Sequence, residues 1–315
     1  MNYNNLAKNN KQYLNITNLY AKDKLSHVCL LVSSDTLLTE SICYQVAATI
    51  VKSSAEKIAK KSHPDVFVFG DTGKIDVASV NEIVESLAVR PYSADKKIYI
   101  LLEAENMNEA SQNKLLKSLE EAPRDVIFLL TAASTKNILP TVLSRSTEYK
   151  VDGLADSQIY ELLTSSGTNK EVAEIAVSCA GGNSTLASKL TTQNFAELYN
   201  NVLNMLMHVN GSKDCLEYVH KFDGKSVDKA ELLDICALLV RDVAMLLSGK
   251  PELAGNKHHG NELNMIAETM NLQACAKILE TCGKLKQDLF YNASGTAVID
   301  KLVLTIAEEK TKCRK

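Results

Sequence analysis

The sequence predicts an α/β domain with a parallel β-sheet, followed by a purely helical region. Short, unbroken apolar runs alternate with helical patterns as far as Asp152, which is typical of βα units with strands buried on both faces. No strand pattern follows Asp152. Aromatic residues make up only 5% of the 315 residues and there is no tryptophan, which favours helices packed through aliphatic side chains.

The first predicted strand is His27–Val32, and the helical spacing of Thr39–Lys60 follows it after a polar turn. Three further apolar runs and one short segment predict the other strands, and three patterns predict helices between them. The strands are 66–69, 98–102, 126–131 and 147–151, and the helices are 78–88, 106–121 and a short turn over 141–144 that Pro140 starts.

The chain is long enough for two or three domains. We expect an α/β domain over 1–152, a small helical domain over 153–193 that glycines interrupt, and a larger helical domain over 194–315. Amphipathic patterns at 230–247 and 272–289 indicate long helices in the last part.

Composition excludes several classes of protein. A formal net charge of −3 argues against a strongly basic nucleic-acid coat protein, although a local basic patch remains compatible with it. The N-terminal stretch lacks the apolar centre of a signal peptide, and no run of about 18 apolar residues occurs, so we expect a cytoplasmic protein without a membrane span. The eight cysteines form no CxxC pair, and we expect buried free thiols.

The turn after the first strand lies where a phosphate-binding loop of the form GxxxxGK[ST] would occur. Its two glycine positions are Ser33 and Leu38, its lysine position is Thr39, and its magnesium-binding hydroxyl position is Glu40. Leu38 carries a Cβ where the backbone must approach the ligand, and Glu40 sets a negative charge beside a polyphosphate. These residues are compatible with either a degenerate P-loop or an ordinary βα turn.

A second strand end supports the degenerate P-loop. In P-loop ATPases the Walker B strand ends in an Asp that helps to hold magnesium. Here that position is Leu102, and only the following Glu103 is retained. The two protein ligands of the metal, at the positions of Glu40 and Leu102, are therefore lost together.

The run IYILLEAENMNEASQNKLLKSLEEAP, residues 98–123, resembles the AAA+ core of bacterial clamp-loader subunits. The run ILPTVLSRS, residues 138–146, resembles the Ser-Arg-Cys segment of the same family, and His63–Pro64–Asp65 and Arg90–Pro91 fit its pattern. The resemblance covers residues 25–190 well. It implies an AAA+-like domain, a small helical lid and a C-terminal helical collar that joins sister subunits.

The chain departs from this family at several positions, among them Ser146, which stands where the Ser-Arg-Cys segment has Cys. All four signature positions of the P-loop are changed, so we expect neither ATP nor magnesium to bind. The family usually carries a four-cysteine zinc module before His-Pro-Asp, whereas residues 51–62 contain no cysteine, so we expect no zinc.

The resemblance implies that Arg145 is an arginine finger that reaches the ATP bound to a neighbouring subunit, with Ser144 fixing the local turn. Thr131 lies where the family places a residue that senses the γ-phosphate. Thr185 lies where a second nucleotide-sensing Arg is usual, and that Arg is missing.

The resemblance as a whole implies a non-hydrolysing subunit of the replicative clamp loader, without intrinsic ATPase activity and within the DNA polymerase III holoenzyme. Its expected partners are the ATPase subunits (tau/gamma), the delta subunit, the sliding clamp and, through the complex, primed DNA. Two alternatives remain: an inert AAA+-shaped scaffold subunit, and an atypical AAA+ ATPase with an unusual pocket.

Overall fold

The computed structural model describes residues 3–71, 74–224, 227–256 and 258–313. The chain divides into two compact units. The first comprises Met1–Gly167 together with Asn183–Thr185, and the second comprises Thr168–Gly182 and Leu186–Lys315. The division into three domains expected from the sequence stays a prediction.

The first unit contains a five-stranded sheet in the order β2-β3-β4-β1-β5, in which every paired strand is parallel. This confirms the predicted α/β fold class. The strands are β1 (Val28–Val32), β2 (Val66–Phe69), β3 (Lys97–Leu101), β4 (Val126–Ala132) and β5 (Thr147–Lys150). Because the strands are parallel, their carboxyl ends lie along one edge, where a ligand site of an open α/β sheet is expected.

Helices surround this sheet and cover its apolar faces. Tyr99 and Phe128 lie fully buried on adjacent strands, with ring centroids 5.2 Å apart. The helices of this part are α1 (Tyr3–Asn9), α2 (Lys11–Ala21), α3 (Thr36–Ile50), α4 (Ala55–Ala59), α5 (Val77–Leu87), α6 (Glu109–Glu120), α7 (Pro140–Leu143) and α8 (Asp156–Ser165).

The helix predicted over Thr39–Lys60 is two helices. The first, α3, begins three residues earlier because Asp35 accepts a hydrogen bond from the backbone N–H of Leu38 and caps it. It ends at Ile50, and Lys52 follows with a left-handed φ of 54° that turns the chain away from the helix axis. Ser54 then caps the short helix α4.

The remainder of the described chain is helical, as predicted. Its helices are α9 (Lys170–Ala180), α10 (Ser184–Leu190), α11 (Gln193–His208), α12 (Ser212–Phe222), α13 (Lys229–Leu247), α14 (Gly260–Ala267), α15 (Leu272–Phe290) and α16 (Gly295–Cys313). Helix α13 packs on α11, α14 and α15, and α16 packs on α12 and α15. This packing buries aliphatic side chains such as Leu239, Ile278 and Leu302.

The cysteines are free thiols, as the sequence indicated. Seven are buried and Cys313 is partly exposed. Burial raises the pKa of Cys29 to about 12 and that of Cys179 to about 11, so both thiols stay protonated and unreactive at neutral pH. Among the described residues, no helix is both long and apolar enough to cross a bilayer.

Candidate functional site

The candidate site lies at the carboxyl end of β1, and Asp35 is its central residue. Asp35 is 1% exposed. Its Oδ2 accepts hydrogen bonds from the backbone N–H and the hydroxyl of Ser184, both at 2.7 Å. Its Oδ1 accepts from the Thr185 hydroxyl at 2.8 Å, from the Thr185 N–H at 3.3 Å and from the Leu38 N–H at 3.2 Å. The carboxylate is thus fully surrounded by donors from its own chain.

Three backbone N–H groups at the start of α3, those of Leu37, Leu38 and Thr39, have partners within the chain. Leu37 donates to the Thr185 hydroxyl at 2.9 Å, and Thr39 donates to the backbone carbonyl of Asp35 at 3.1 Å. In a P-loop protein, the free N–H groups at such a helix start bind phosphate oxygens, helped by the helix dipole. Here one carboxylate and one hydroxyl of the protein take the place of that anion.

The four altered signature positions have separate structural roles. Ser33 continues the β1 ladder by donating its N–H to Ala132, and its hydroxyl accepts from the Asp35 N–H at 3.2 Å. Leu38 is fully buried in the core, and the Thr39 hydroxyl donates to the Thr36 carbonyl at 3.0 Å. Neither side chain is available to a ligand.

Glu40, at the magnesium-hydroxyl position, is engaged by a neighbour on the same helix. Burial raises the pKa of the Tyr44 hydroxyl, and a hydrogen bond to the Glu40 carboxylate raises it further. The residues of this turn therefore do not fit ATP and magnesium. Glu40 places a negative charge at the position of the magnesium-binding hydroxyl. The start of α3, which would bind the phosphate, is already occupied by the Asp35 carboxylate; we call this arrangement the closed anion cradle.

The Walker B position at the end of β3 is likewise closed. Leu102 is 5% exposed and carries no metal ligand. Glu103 adopts a left-handed conformation with φ 52° and donates its N–H to the Thr131 hydroxyl at 3.0 Å. Its carboxylate accepts a hydrogen bond from the Asn106 side chain at 2.8 Å. Thr131 is buried and serves this turn.

Arg145 lies just past α7, whose first residue is Pro140. Its Nη1 donates to the Thr141 carbonyl at 3.0 Å and lies 3.5 Å from the Ser144 hydroxyl. The Ser144 hydroxyl in turn donates to the same Thr141 carbonyl at 3.0 Å. Ser144 and Thr141 thus keep Nη1 of Arg145 close to the C-terminal end of α7.

A second contact is made by the other terminal nitrogen of Arg145, Nη2. Arg145 Nη2 forms an ion pair with Glu120 Oε2 at 3.1 Å, and Glu120 is the last residue of α6. The side chain of Arg145 is 31% exposed and that of Glu120 is 59% exposed. Arg145 Nε is buried without a hydrogen-bond partner among the described residues. No sequence motif points to Glu120.

Gln112 fixes the segment that leads into α7, and the sequence did not point to it either. It is 2% exposed. Its amide nitrogen donates to the carbonyls of Met107 and Asn137 at 3.0 and 2.9 Å, and its oxygen accepts from the Leu139 N–H at 2.8 Å. Because Leu139 directly precedes α7, Gln112 helps to set the direction in which Arg145 leaves the sheet.

Asp65 of the His-Pro-Asp motif organises a different loop. It is 1% exposed and accepts hydrogen bonds from the N–H groups of Tyr92, Ser93 and Ala94, at 2.5 to 2.8 Å. Burial alone would raise the pKa of Asp65, but these hydrogen bonds outweigh it and leave the pKa below its ordinary value. The motif therefore connects the start of β2 to the Arg90–Pro91 region.

No group of three or more His, Cys, Asp or Glu side chains within the described ranges is arranged to hold a metal ion. The expectation that the chain binds no zinc, magnesium or nucleotide remains a prediction.

Comparison with known proteins shows which family the first part of the chain resembles. Residues 8–154, which include the whole sheet and both strand ends described above, match the family described as "DNA polymerase III, delta subunit". The resemblance to bacterial DNA polymerase III subunits that the motifs indicated is thereby confirmed.

Particular relatives extend the similarity along the chain. The chain is 21% identical to the DNA polymerase III subunit delta' of Bacillus subtilis, with 92% of this chain and 94% of that protein aligned. It is 23% identical to the subunit gamma of Buchnera aphidicola, over 93% and 92%. It is 30% identical to the subunit delta' of Haemophilus influenzae, over 51% and 50%.

Among solved structures, one match is the DNA polymerase III gamma subunit-related protein of Thermotoga maritima. The TM-score is 0.47 and the identity 16%, with 94% of this chain and 99% of that one covered.

Proposed function

We propose that this chain is a non-hydrolysing subunit of a bacterial DNA polymerase III clamp loader, of the delta' type. It binds no ATP itself. In the assembled, cytoplasmic complex it presents Arg145 to ATP held by the adjacent ATPase subunit (tau/gamma). Together with the delta subunit, the complex loads the sliding clamp on primed DNA.

The observation that carries this proposal is the Asp35 carboxylate at the start of α3. A polyphosphate at this position would have to displace a buried carboxylate that takes hydrogen bonds from Leu38, Ser184 and Thr185. It would also meet Glu40, and like charges about 4 Å apart repel by roughly 4 kcal/mol at an effective dielectric near 20. Nucleotide chemistry by this chain's own site is therefore disfavoured.

Arg145 has the properties that a trans-acting group needs. Its guanidinium is always charged and can donate two parallel N–H bonds to phosphate oxygens. It follows the end of α7 next to Ser144 and keeps part of its side chain exposed. An arginine finger supplied in trans contributes about 10³–10⁵ to the rate of phosphoryl transfer.

The similarities favour this role over a general binding module. Two relatives that align over more than nine-tenths of this chain are named subunits of DNA polymerase III. Those names include both delta' and gamma, so assignment to the delta' type rests on the closed anion cradle rather than on overall similarity.

The central test replaces Arg145 in a reconstituted clamp loader. Arg145→Ala should lower DNA-stimulated ATP hydrolysis at the adjacent ATPase subunit by about 10³-fold or more, so that the complex loses the share of its rate that this site contributes. Arg145→Lys keeps the charge but loses the fork, so it should restore little of the rate. Arg124→Ala, an exposed arginine in the loop after α6, is the matched control and should leave hydrolysis unchanged.

The two alternatives give different results. An inert scaffold would show unchanged hydrolysis and clamp loading with Arg145→Ala, provided that the complex assembles. An atypical ATPase would bind labelled ATP on the isolated chain. Binding tighter than about 10 μM, a free energy near −7 kcal/mol, would favour that alternative and contradict the proposal.

A further inference from the structure

We infer that Glu120 is a positioning residue that holds Arg145 back against its own chain, so that the neighbour's phosphate must displace Glu120 before the arginine can act. This inference rests on the proposed function of Arg145 and concerns the regulation of the same site. The residues that carry it are Glu120, Thr141 and Arg145.

The geometry shows competition for one set of donors. Glu120 Oε2 accepts from Nη2 at 3.1 Å, and the Thr141 carbonyl accepts from Nη1 at 3.0 Å. A phosphate that takes the guanidinium in bidentate fashion needs two of its five N–H donors at once, arranged as a fork. Glu120 and the Thr141 carbonyl each take one donor of a different Nη group, so a phosphate oxygen that approaches Nη2 from the same side must displace Glu120.

In this conformation the hydrogen bonding of the Arg145 side chain is also incomplete. Nε of Arg145 is buried and lacks an acceptor within the described chain, which is unfavourable because a buried donor loses its hydration without a compensating bond. The arginine is therefore held in a place that does not satisfy all of its donors. A pose that turned Nε towards an acceptor oxygen on a neighbour would relieve this cost.

The ion pair between Glu120 and Arg145 is weak enough to act as a reversible restraint. Glu120 is 59% exposed and ends α6, so the ion pair is open to water and to salt. Exposed pairs of this kind are weak, and a phosphate with more than one negative charge can outcompete a single carboxylate. Glu120 thus limits how often Arg145 is free, without fixing it permanently.

The test uses the reconstituted complex with the variants Glu120→Gln, Glu121→Gln and Arg145→Ala, and the double variant Glu120→Gln/Arg145→Ala. Glu121 is the matched control because it is the adjacent, exposed carboxylate and forms no ion pair among the described residues. Assembly is checked first by size-exclusion chromatography. The readout is ATP hydrolysis by the complex without DNA.

We expect Glu120→Gln to raise the rate by about two- to five-fold, the range that corresponds to a weak exposed ion pair. Glu121→Gln should leave the rate unchanged, and Glu120→Gln should have no effect in the Arg145→Ala background. If Arg145→Ala lowers the rate while Glu120→Gln leaves it unchanged or lowers it, the restraint is refuted and the proposed function stands. If Arg145→Ala has no effect on hydrolysis either without DNA or with it, the proposed function itself fails.

A measurement on the isolated chain separates positioning from folding. The proton on Arg145 Nε should exchange with water faster in Glu120→Gln than in the wild type or in Glu121→Gln, as followed by ¹⁵N NMR of the arginine side chains. A uniform change in backbone exchange would instead indicate a general loss of stability, and equal Nε exchange in all three proteins would overturn the inference.

Discussion

Asp35 and Ser184 are 149 positions apart in the sequence, yet one carboxylate oxygen of Asp35 accepts both the backbone N–H and the hydroxyl of Ser184 at 2.7 Å. Both residues are buried. The pair links the start of α3 to the segment Asn183–Thr185 at the point where a nucleotide would be needed in an ATPase. The Asp35 carboxylate thus takes up hydrogen-bond donors both at the helix start and in that segment.

Asp35→Ala should lower the free energy of unfolding by about 3 kcal/mol, because it leaves buried donors of Ser184 and Thr185 without an acceptor. Asp76→Ala is the control. Asp76 is an exposed helix cap that accepts from the Ser79 N–H at 2.8 Å, and its loss should cost about 1 kcal/mol. Urea denaturation measures both, and equal losses would show that Asp35 is only a helix cap.

Gly70→Ala should be strongly destabilising, by about 2–3 kcal/mol, since Gly70 has φ +92° and an added Cβ would overlap the carbonyl oxygen of Leu102. Gly167→Ala provides a matched comparison, because Gly167 has φ +96° but no atom within 4 Å of the added carbon. It should lose only about 1 kcal/mol. Thermal unfolding of the two variants separates conformational strain from steric overlap.

Asp65 should make stability depend on pH in acid. Its pKa lies below the ordinary value in the folded chain, so its contribution is complete above the unfolded pKa of about 3.9 and is lost as the pH falls through the folded value. The difference in unfolding free energy between wild type and Asp65→Asn should therefore be largest near pH 6 and shrink below about pH 4.

Asp95→Asn is the control for that titration. Asp95 is 82% exposed and pairs with Lys52 at 3.8 Å, so its removal should change stability little at any pH. A pH profile for Asp65→Asn that parallels the wild type throughout would contradict the role assigned to the Asp65 hydrogen bonds.

Gln112→Leu should cost about 1–3 kcal/mol and loosen the segment before α7, because the N–H of Leu139 and the carbonyls of Met107 and Asn137 lose their partner. Hydrogen exchange provides a local readout. The Leu139 amide should exchange much faster in the variant, whereas the Leu102 amide, which donates to Phe69 at 2.9 Å, should be unaffected. Equal acceleration at both would indicate global destabilisation.

The sequence was sufficient to predict the sheet and the helical second half. Strands such as Val126–Ala132 are buried along their whole length, so their apolar runs are continuous and easily recognised. Helices α1 and α2 were not predicted, because their sequences are rich in Asn and Lys and each buries only a few side chains, such as Leu6 and Ile16.

The site was only partly predictable, because its central contacts join distant positions. The sequence identified the altered ligand positions Ser33, Leu38, Thr39, Glu40 and Leu102 one by one, since each is judged against a local motif. It gave no sign that Asp35 meets Ser184 and Thr185. Arg145 was predicted as a site residue from its local motif, and that role stays a prediction, whereas Glu120 comes close to it only through the packing of α6 near α7.

The closed cradle at Asp35 has a consequence for how the chain responds to its surroundings. A protein whose fold depends on a bound nucleotide gains stability by mass action, as RT ln(1 + [L]/Kd), so its structure follows the supply of that nucleotide. The Asp35 carboxylate is tethered, so it cannot be diluted, exchanged or hydrolysed. The link between α3 and residues 183–185 should therefore be the same in a starved cell as in a growing one.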